Sequence, residues 1–577
     1  MSIASANDNT TDKQDPIISN ENNSFTDLNN EINGNVSKTE IKLTSDYSYQ
    51  DNESGEGIII NRSLTIDGQG HTINGNHKTR IFIINTTNVI LKNIKFINGE
   101  AGLTMGGAIL FAANSNGIIF NSTFINNEAL TAGAILYGVN TTGSVMNSVF
   151  LDNEAGYGGA IFQDPNSMIV IKNCLFKNNG ATIIPSTGCG GAIEYTLNSS
   201  GSIENSSFIN NSATGFGGAI VVLQNSNVTI NNSIFNYNSA SEGGAIYHMD
   251  HSNSTISNSI FTNNQAKKRG GSIYYTWTQN SVFNTTFINN TANRGGAIYN
   301  YKGRQNIIDN CSFIGNSAQK GGGVYYRDEG KGIINNSVFK QNNAEIGGGI
   351  FYLSNETKGI VNNTQFIRNY AKNASTMNEG KAYNCTIIKI TPKITLNKQT
   401  YIYHDDDYLK IKITGFNNTP VANTTIHIEL TGVYNSTLTT NSNGEVNITT
   451  KNLIVGAYNI ITSFGGDDNY ENITQKQNIN INKISTKIIA KNKKIKAKKK
   501  NKKYAILMKN HKNQPISNIK VTLKIKNKKY NAKTNKKGKA TFKLKKLNKK
   551  GKYKTTITYV GNVYYEKTIQ KVKIIIK

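Results

Sequence analysis

Cysteine, charge and long apolar runs are all scarce in these 577 residues. Four cysteines do not make a disulfide scaffold, and no Cys/His spacing resembles a metal site, so neither metal nor cofactor is expected. No stretch of 18 apolar residues occurs, and no segment reads as a membrane-spanning helix. Only 17% of residues are charged and 37% hydrophobic, with 6 Pro beside 52 Gly, so solubility rests largely on Asn, Ser and Thr.

What the chain has instead is a repeat. Read on its phenylalanines (Phe124, Phe150, Phe176, Phe208, Phe235, Phe261, Phe287, Phe313, Phe339, Phe366), the step is 26 or 27 residues, with one step of 32. Three residues before each Phe stands Asn121, Asn147, Asn173, Asn205, Asn232, Asn258, Asn284, Asn310, Asn336 or Asn363. Five before it comes Ile or Val, from Ile119 to Val361; three after it another Asn, from Asn127 to Asn369; five after it an Ala, from Ala129 to Ala371. Phe96 adds an earlier unit, and Asn384, Cys385 and Ile387 a worn last one.

Strand-forming runs, turn residues and no helical pattern within such a period are what one rung of a solenoid needs. The fold expected is all-β, with one coil of a right-handed parallel β-helix per repeat. Stacked coils turn each aligned column into a ladder at about 4.8 Å spacing. The Ile/Val, Phe and Gly-Gly-Ala-Ile columns fill the interior. Both Asn columns mark corners, where Asn tolerates left-handed backbone and its amides bond up the ladder. Gly-Gly marks a further corner or a close approach of coils.

The paired signatures, Gly-Gly-Ala-Ile (Gly158 to Ile161, Gly217 to Ile220, Gly243 to Ile246, Gly295 to Ile298) and Phe-x-x-Asn, resemble the repeats of chlamydial polymorphic outer-membrane proteins. Asn/Thr-rich coils followed by Ig-like modules and a Lys-rich end are similar to adhesin-like surface proteins of methanogenic archaea. The resemblance covers residues 55 to 577 and implies a secreted, cell-surface, wall-associated protein. The chain departs from the chlamydial pattern in showing no C-terminal amphipathic barrel, which speaks against autotransport.

Residues 391 to 483 and 484 to 577 align with each other at a register of about 95: Pro420 with Pro515, Gly444 with Gly538, Tyr458 with Tyr553, Tyr470 with Tyr565. Alternating runs such as Thr425 to Leu430 and Lys520 to Ile525 read as half-buried strands. About seven strands in each copy suggest Ig-like sandwiches. Charge is divided unevenly between the copies and the rest. Residues 483 to 577 hold 33 Lys and one acidic residue, Glu566, whereas the remainder carries 31 basic and 35 acidic residues. Such a field attracts polyanions, and an anionic cell-wall polymer bound through residues 484 to 577 is the expected partner. No nucleic-acid-reading motif accompanies it.

The domains expected are a signal remnant and flexible lead-in (1 to 50), a β-helix of about 12 coils (51 to 390), an Ig-like domain (391 to 483) and a Lys-rich one (484 to 577). Ala4, Ser5 and Ala6 look like the end of a secretory signal. Cys174, Cys311 and Cys385 occupy a column otherwise held by Ser or Thr, where a small inward side chain suffices. Cys174 and Cys189 bracket the 32-residue step, and a disulfide between them would tie down the insertion Gly180 to Gly188.

The residue after the repeat Ile is often aromatic: Phe162, Tyr247, Tyr274, Tyr299, Tyr325 and Phe351. If the Ile points inward, its neighbour points outward, and the rings form an exposed stripe suited to surface glycans or proteins of other cells. Stacked rings that merely stabilise the face are the alternative. Polysaccharide lyases and hydrolases on β-helices need clustered carboxylates. Asp164, Glu194 and Asp250, with His248 and His251, lie in neighbouring coils but at different offsets from their Ile, and Asp405 to Asp407 read as a solvated turn. The reading favoured is therefore a non-enzymatic adhesin-like protein, with a pectate-lyase-like enzyme or a structural coat protein as alternatives. Sequons are abundant, for example at Asn85, Asn140, Asn198, Asn423 and Asn447, and secretion would make some of them glycan sites, while Asn121, Asn205 and Asn284, on the corner ladder, are expected to be buried and unmodified.

Overall fold

A computed structural model describes residues 23–577 apart from 329–330, 354–358, 374–375 and 379. The chain divides into two units, one ending at Ile390 and one covering Thr391–Lys577. Ala4 to Ala6, the candidate signal end, lie outside the described residues.

The first unit is a parallel solenoid of about 13 turns. Three long sheets of 15, 14 and 12 strands run along it, with a six-stranded and a two-stranded sheet on a fourth side. Each repeat column is a parallel register: Phe124 pairs with Phe150, Phe150 with Phe176, Ile119 with Val145, Ile135 with Ile161. From Phe96 to Phe366 the rings are 4.5 to 5.2 Å apart with planes within 17°. All lie in one buried cluster with the Ile/Val columns. Burial of each side chain is worth roughly 1.5–3 kcal/mol, so the core gains stability in proportion to the number of coils.

The two Asn columns differ. Those three before the Phe have left-handed backbone, φ +45° to +54°, and turn the corner. Their amides bond between coils, as from Asn173 Nδ2 to Asn147 Oδ1 at 2.9 Å, but the side chains face outward. Contrary to expectation, Asn121, Asn205 and Asn284 are exposed. The buried ladder is the other column. Asn153 Nδ2 donates to Phe124 O (3.1 Å) and Asn179 Oδ1 (2.9 Å), and its Oδ1 accepts the backbone N–H and amide of Asn127 (3.1 and 2.8 Å). Both donors and both acceptor positions are used, which is what makes a fully buried amide tolerable.

Gly-Gly serves both purposes anticipated for it. Gly158 has φ +59°, and a Cβ on Gly159 would stand 2.1 Å from Gly191 O in the next coil.

Within the expected lead-in, the described residues from Asn23 onward are folded rather than flexible. Helix α1, Phe25–Asn33, starts at a capping box of Ser24 and Asp27 and buries Phe25, Leu28 and Ile32. These side chains join the core cluster of the coils. Strand Asn23–Ser24 pairs in parallel with Tyr47–Ser48, and Glu40–Lys42 with Leu64–Asp67. An amphipathic helix is a way to shield the open end of a solenoid, whose last coil otherwise leaves apolar side chains in water. Few apolar residues suffice for that, so the segment reads as polar in composition.

In the second unit each copy has a three-stranded and a five-stranded sheet, eight strands where about seven were anticipated. In the second copy the core joins Ile488, Tyr504 and Phe542 of the smaller sheet to Val521, Ile557 and Ile574 of the larger, which makes it a two-layer sandwich.

Candidate functional site

The aromatic stripe is in place but is not a surface. Ile161, Ile246 and Ile273 point into the main core, and their neighbours point out, as alternation requires. Yet Tyr247, Tyr274, Tyr299, Tyr325 and Phe351 are only 0–8% exposed, and Phe162 is half-buried. The residues just before each Gly-Gly (Cys189, Phe216, Glu242, Arg269, Arg294, Lys320, Ile346) bridge in parallel to one another along the coils. Cys189, Phe216 and Ile346 from this ridge, with Leu223, Met249 and Tyr301, pack on the rings to form a second core. Tyr274 meets Tyr299 edge-on at 4.9 Å, and Tyr299 stacks on Tyr325 at 4.8 Å. The exposed stripe of the sequence reading is thus corrected to a covered one.

The candidate carboxylates do not converge. Glu194 occupies the stripe column itself, between Phe162 and Val221, where burial pushes its carboxyl up to about 8 and Oε2 has no protein hydrogen-bond partner. Asp164 is two positions further on, its pKa also raised by burial. Asp250 and His251 sit at the next corner, and His248 points inside, where burial lowers it to about 3 and it stacks on Tyr275 at 5.1 Å. Among the described residues no group of three metal-ligating side chains forms. Asp405 to Asp407 are not simply solvated either. Asp405 pairs with His511 (3.0 Å) and Lys512 (2.7 Å), Asp406 with Lys451 (2.9 Å), and Asp407 with Lys398.

Cys174 and Cys189 remain free thiols. Cys174 lies in the main core, with Sγ towards Val145 O and Lys172 O, whereas Cys189 packs against the outer aromatic cluster. The two sit on different sides of the chain's path, which rules out the bridge expected. Cys311 is a buried free thiol, and Cys385 a partly buried one.

The lysines of the last sandwich are arranged in a way that composition does not disclose. Lys520 is directly opposite Lys533, Lys524 opposite Lys529, Lys554 opposite Lys573, and Lys503 opposite Lys543. All eight are exposed. In the first copy the corresponding pairs are Thr425 and Thr439, Glu429 and Asn435, Asn459 and Asn478, Tyr408 and Thr449. The same backbone therefore forms without any opposed like charges. Each such pair costs stability, so the lysines are not there for the fold.

A family model described as the right handed beta helix region matches residues 166–292, and one for the Chlamydia polymorphic membrane protein repeat matches residues 284–301. The coils are a right-handed β-helix. No curated protein matches the chain in sequence. Among solved structures it is similar to invasin, a bacterial integrin-binding protein, at 14% identity and TM-score 0.22, over 32% of this chain and 39% of that one. It is also similar to the Yersinia pseudotuberculosis adhesin InvE (14%, TM-score 0.18, 32% and 60%) and to the D0-D1 domain of intimin (17%, TM-score 0.14, 32% and 98%). The chain spans about two fifths of invasin and three fifths of InvE. Likeness at this level says nothing of what the β-helix binds.

Proposed function

We propose that this is a non-enzymatic, adhesin-like cell-surface protein, in which the outer faces of the β-helix bind glycans or proteins of other cells and the last sandwich holds an anionic cell-wall polymer. The observation that carries the reading is the set of opposed lysine pairs, to which Lys487 opposite Lys509 adds a fifth. An ammonium facing an ammonium across a strand pair is unfavourable until a counter-charge lies between them, and a polyanion supplies many at once. The interior of the β-helix is taken up by stacked Phe, Ile and Asn ladders, so chemistry is left to its outside.

The test uses the full chain on a polyglutamate resin, a polyanion without sugar rings. Lys529→Asn, Lys533→Thr, Lys554→Asn and Lys573→Asn together install the residues of the first copy, and are expected to abolish retention at physiological salt without lowering the melting temperature. Undiminished retention would remove the anchoring role.

A further inference from the structure

The corner that follows the Ile strand in each coil carries a second anomaly. In five coils it is turned by an Asn in the left-handed region, Asn114, Asn140, Asn166, Asn198 and Asn225, at φ +57° to +62°, and in the next by His251. The following coils reach this corner one residue sooner after their Ile or Val and turn it with Trp277 and Lys302, both at φ +53°, and then Asp328 at φ +42°. Asn accepts this conformation readily, while a bulky aromatic or a long aliphatic stem does not. Tyr237, Gln341 and Arg368 replace Asn at another corner in the same way (φ +52° to +56°), so what sets this corner apart is the chemistry its side chains bring together.

Trp277 is the one tryptophan of the chain and is 38% exposed. Lys302 Nζ is 4.4 Å from its ring centroid, Tyr301 meets it edge-on at 6.5 Å, and the Arg327 guanidinium lies 5.2 Å from the Tyr301 ring. The surroundings change sign here as well. Residues 51–264 hold 7 basic and 13 acidic side chains, but residues 265–328 hold 8 basic and two acidic, Asp309 and Asp328, the latter paired with Arg327 Nε at 3.0 Å. Arg269 reaches over Tyr299 from the ridge side at 5.7 Å, so the cations line both margins of the covered aromatic column.

We propose that Trp277, Tyr301, Lys302 and Arg327 form a binding site for an acidic carbohydrate. The proposal rests on the reading of the β-helix as a glycan-binding surface and gives that surface a place and a ligand class. A sugar ring packs its C–H face on an indole plane, and carboxylate or sulfate groups on the same residue take charge-assisted hydrogen bonds from the ammonium and guanidinium. A neutral glycan makes no use of the Lys302 ammonium or of the guanidinium N–H groups that Asp328 leaves over on Arg327, and a non-sugar polyanion leaves the rings without use. Successive coils are spaced at about 4.8 Å, which presents the second coil's cation beside the first coil's ring.

Because there is only one Trp, its emission reports on this site in the intact protein. Titration with oligogalacturonate and with heparin oligosaccharide is expected to shift or quench it saturably at physiological salt, and the tighter of the two identifies carboxylate or sulfate as the group read. Maltohexaose should leave it unchanged. Lys302→Asn should weaken the response at least tenfold, and Trp277→Asn, followed by calorimetry, should lose the binding while melting no lower than the parent. No response to either acidic saccharide, an equal response to polyglutamate, or full binding by Trp277→Asn would overturn the assignment. The lysine-depleted sandwich variant separates the two readings: an emission response that persists in it shows the coil site to be independent of the wall anchor, and loss of the response in it would reassign the binding to the sandwich.

Discussion

Tyr137 lies against Gly143 inside the coil: a Cβ at residue 143 would stand 2.5 Å from the tyrosine's Cε1. The same holds for Phe111 with Gly117, Tyr195 with Gly201, and Tyr326 with Gly332. Where the inward residue is smaller the facing one is larger, Gln163 with Ile169 and Val222 with Val228, all of them buried. Volume is balanced within each coil rather than along the ladder. Gly143→Val alone should therefore destabilise by about 1–3 kcal/mol through overpacking. Adding Tyr137→Val, which copies the Val222 and Val228 coil, should recover most of that loss in urea unfolding; additive losses would show that the pair is not coupled.

The buried Asn ladder should be far less tolerant than the exposed one. Asn238→Ala removes the acceptor of the Asn211 N–H and amide (both 3.0 Å) and the donor to Phe208 O (2.9 Å). Leaving such groups unsatisfied costs about 1–3 kcal/mol. Asn232→Gly, at an exposed corner with φ +50°, keeps the backbone conformation available and should change the melting temperature little.

Leu28→Asp in α1 should expose the open end of the β-helix. Leu28 is fully buried, and the side chains beneath it belong to the first coils. The expected result is concentration-dependent association through unpaired strand edges, read by sedimentation velocity. A variant that stays monomeric with unchanged stability would deny the helix its shielding role.

Two buried titratable groups set opposite pH dependences. The Glu194 carboxyl is raised from 4.5 to about 8 in the folded state, so folding binds a proton between those values and its contribution falls as pH rises through that window. His248 is lowered from 6.5 to about 3, so the folded state holds fewer protons and stability falls as pH drops below 6.5. Glu194→Gln should melt higher than the parent at pH 8, with the gap shrinking towards pH 5. A gap that does not vary with pH would place the charged form of Glu194 in the fold.

Periodicity alone carried much of this architecture. Because each coil must pair with the next in register, any residue type that recurs at one offset stacks on itself, and the Phe, Ile and Asn columns could be read as ladders from spacing. The Gly-Gly corner followed from the same reasoning, since neither a left-handed turn nor a carbonyl contact admits a Cβ.

What spacing could not reveal is which columns water reaches. Tyr299 points away from the main core as alternation predicts, yet it is covered by chain from the preceding corner and by Arg269, several coil positions away in sequence. Exposure of Asn121 and burial of Asn127 are likewise decided by the direction of the turn between them, not by residue type. The opposed lysines became visible only once strand register was known. The sequence by itself determined what stacks on what, because stacking is a one-dimensional consequence of the period; the tertiary structure decided what is covered, what faces what across a sheet and where strain is kept, because those depend on segments that the period does not relate.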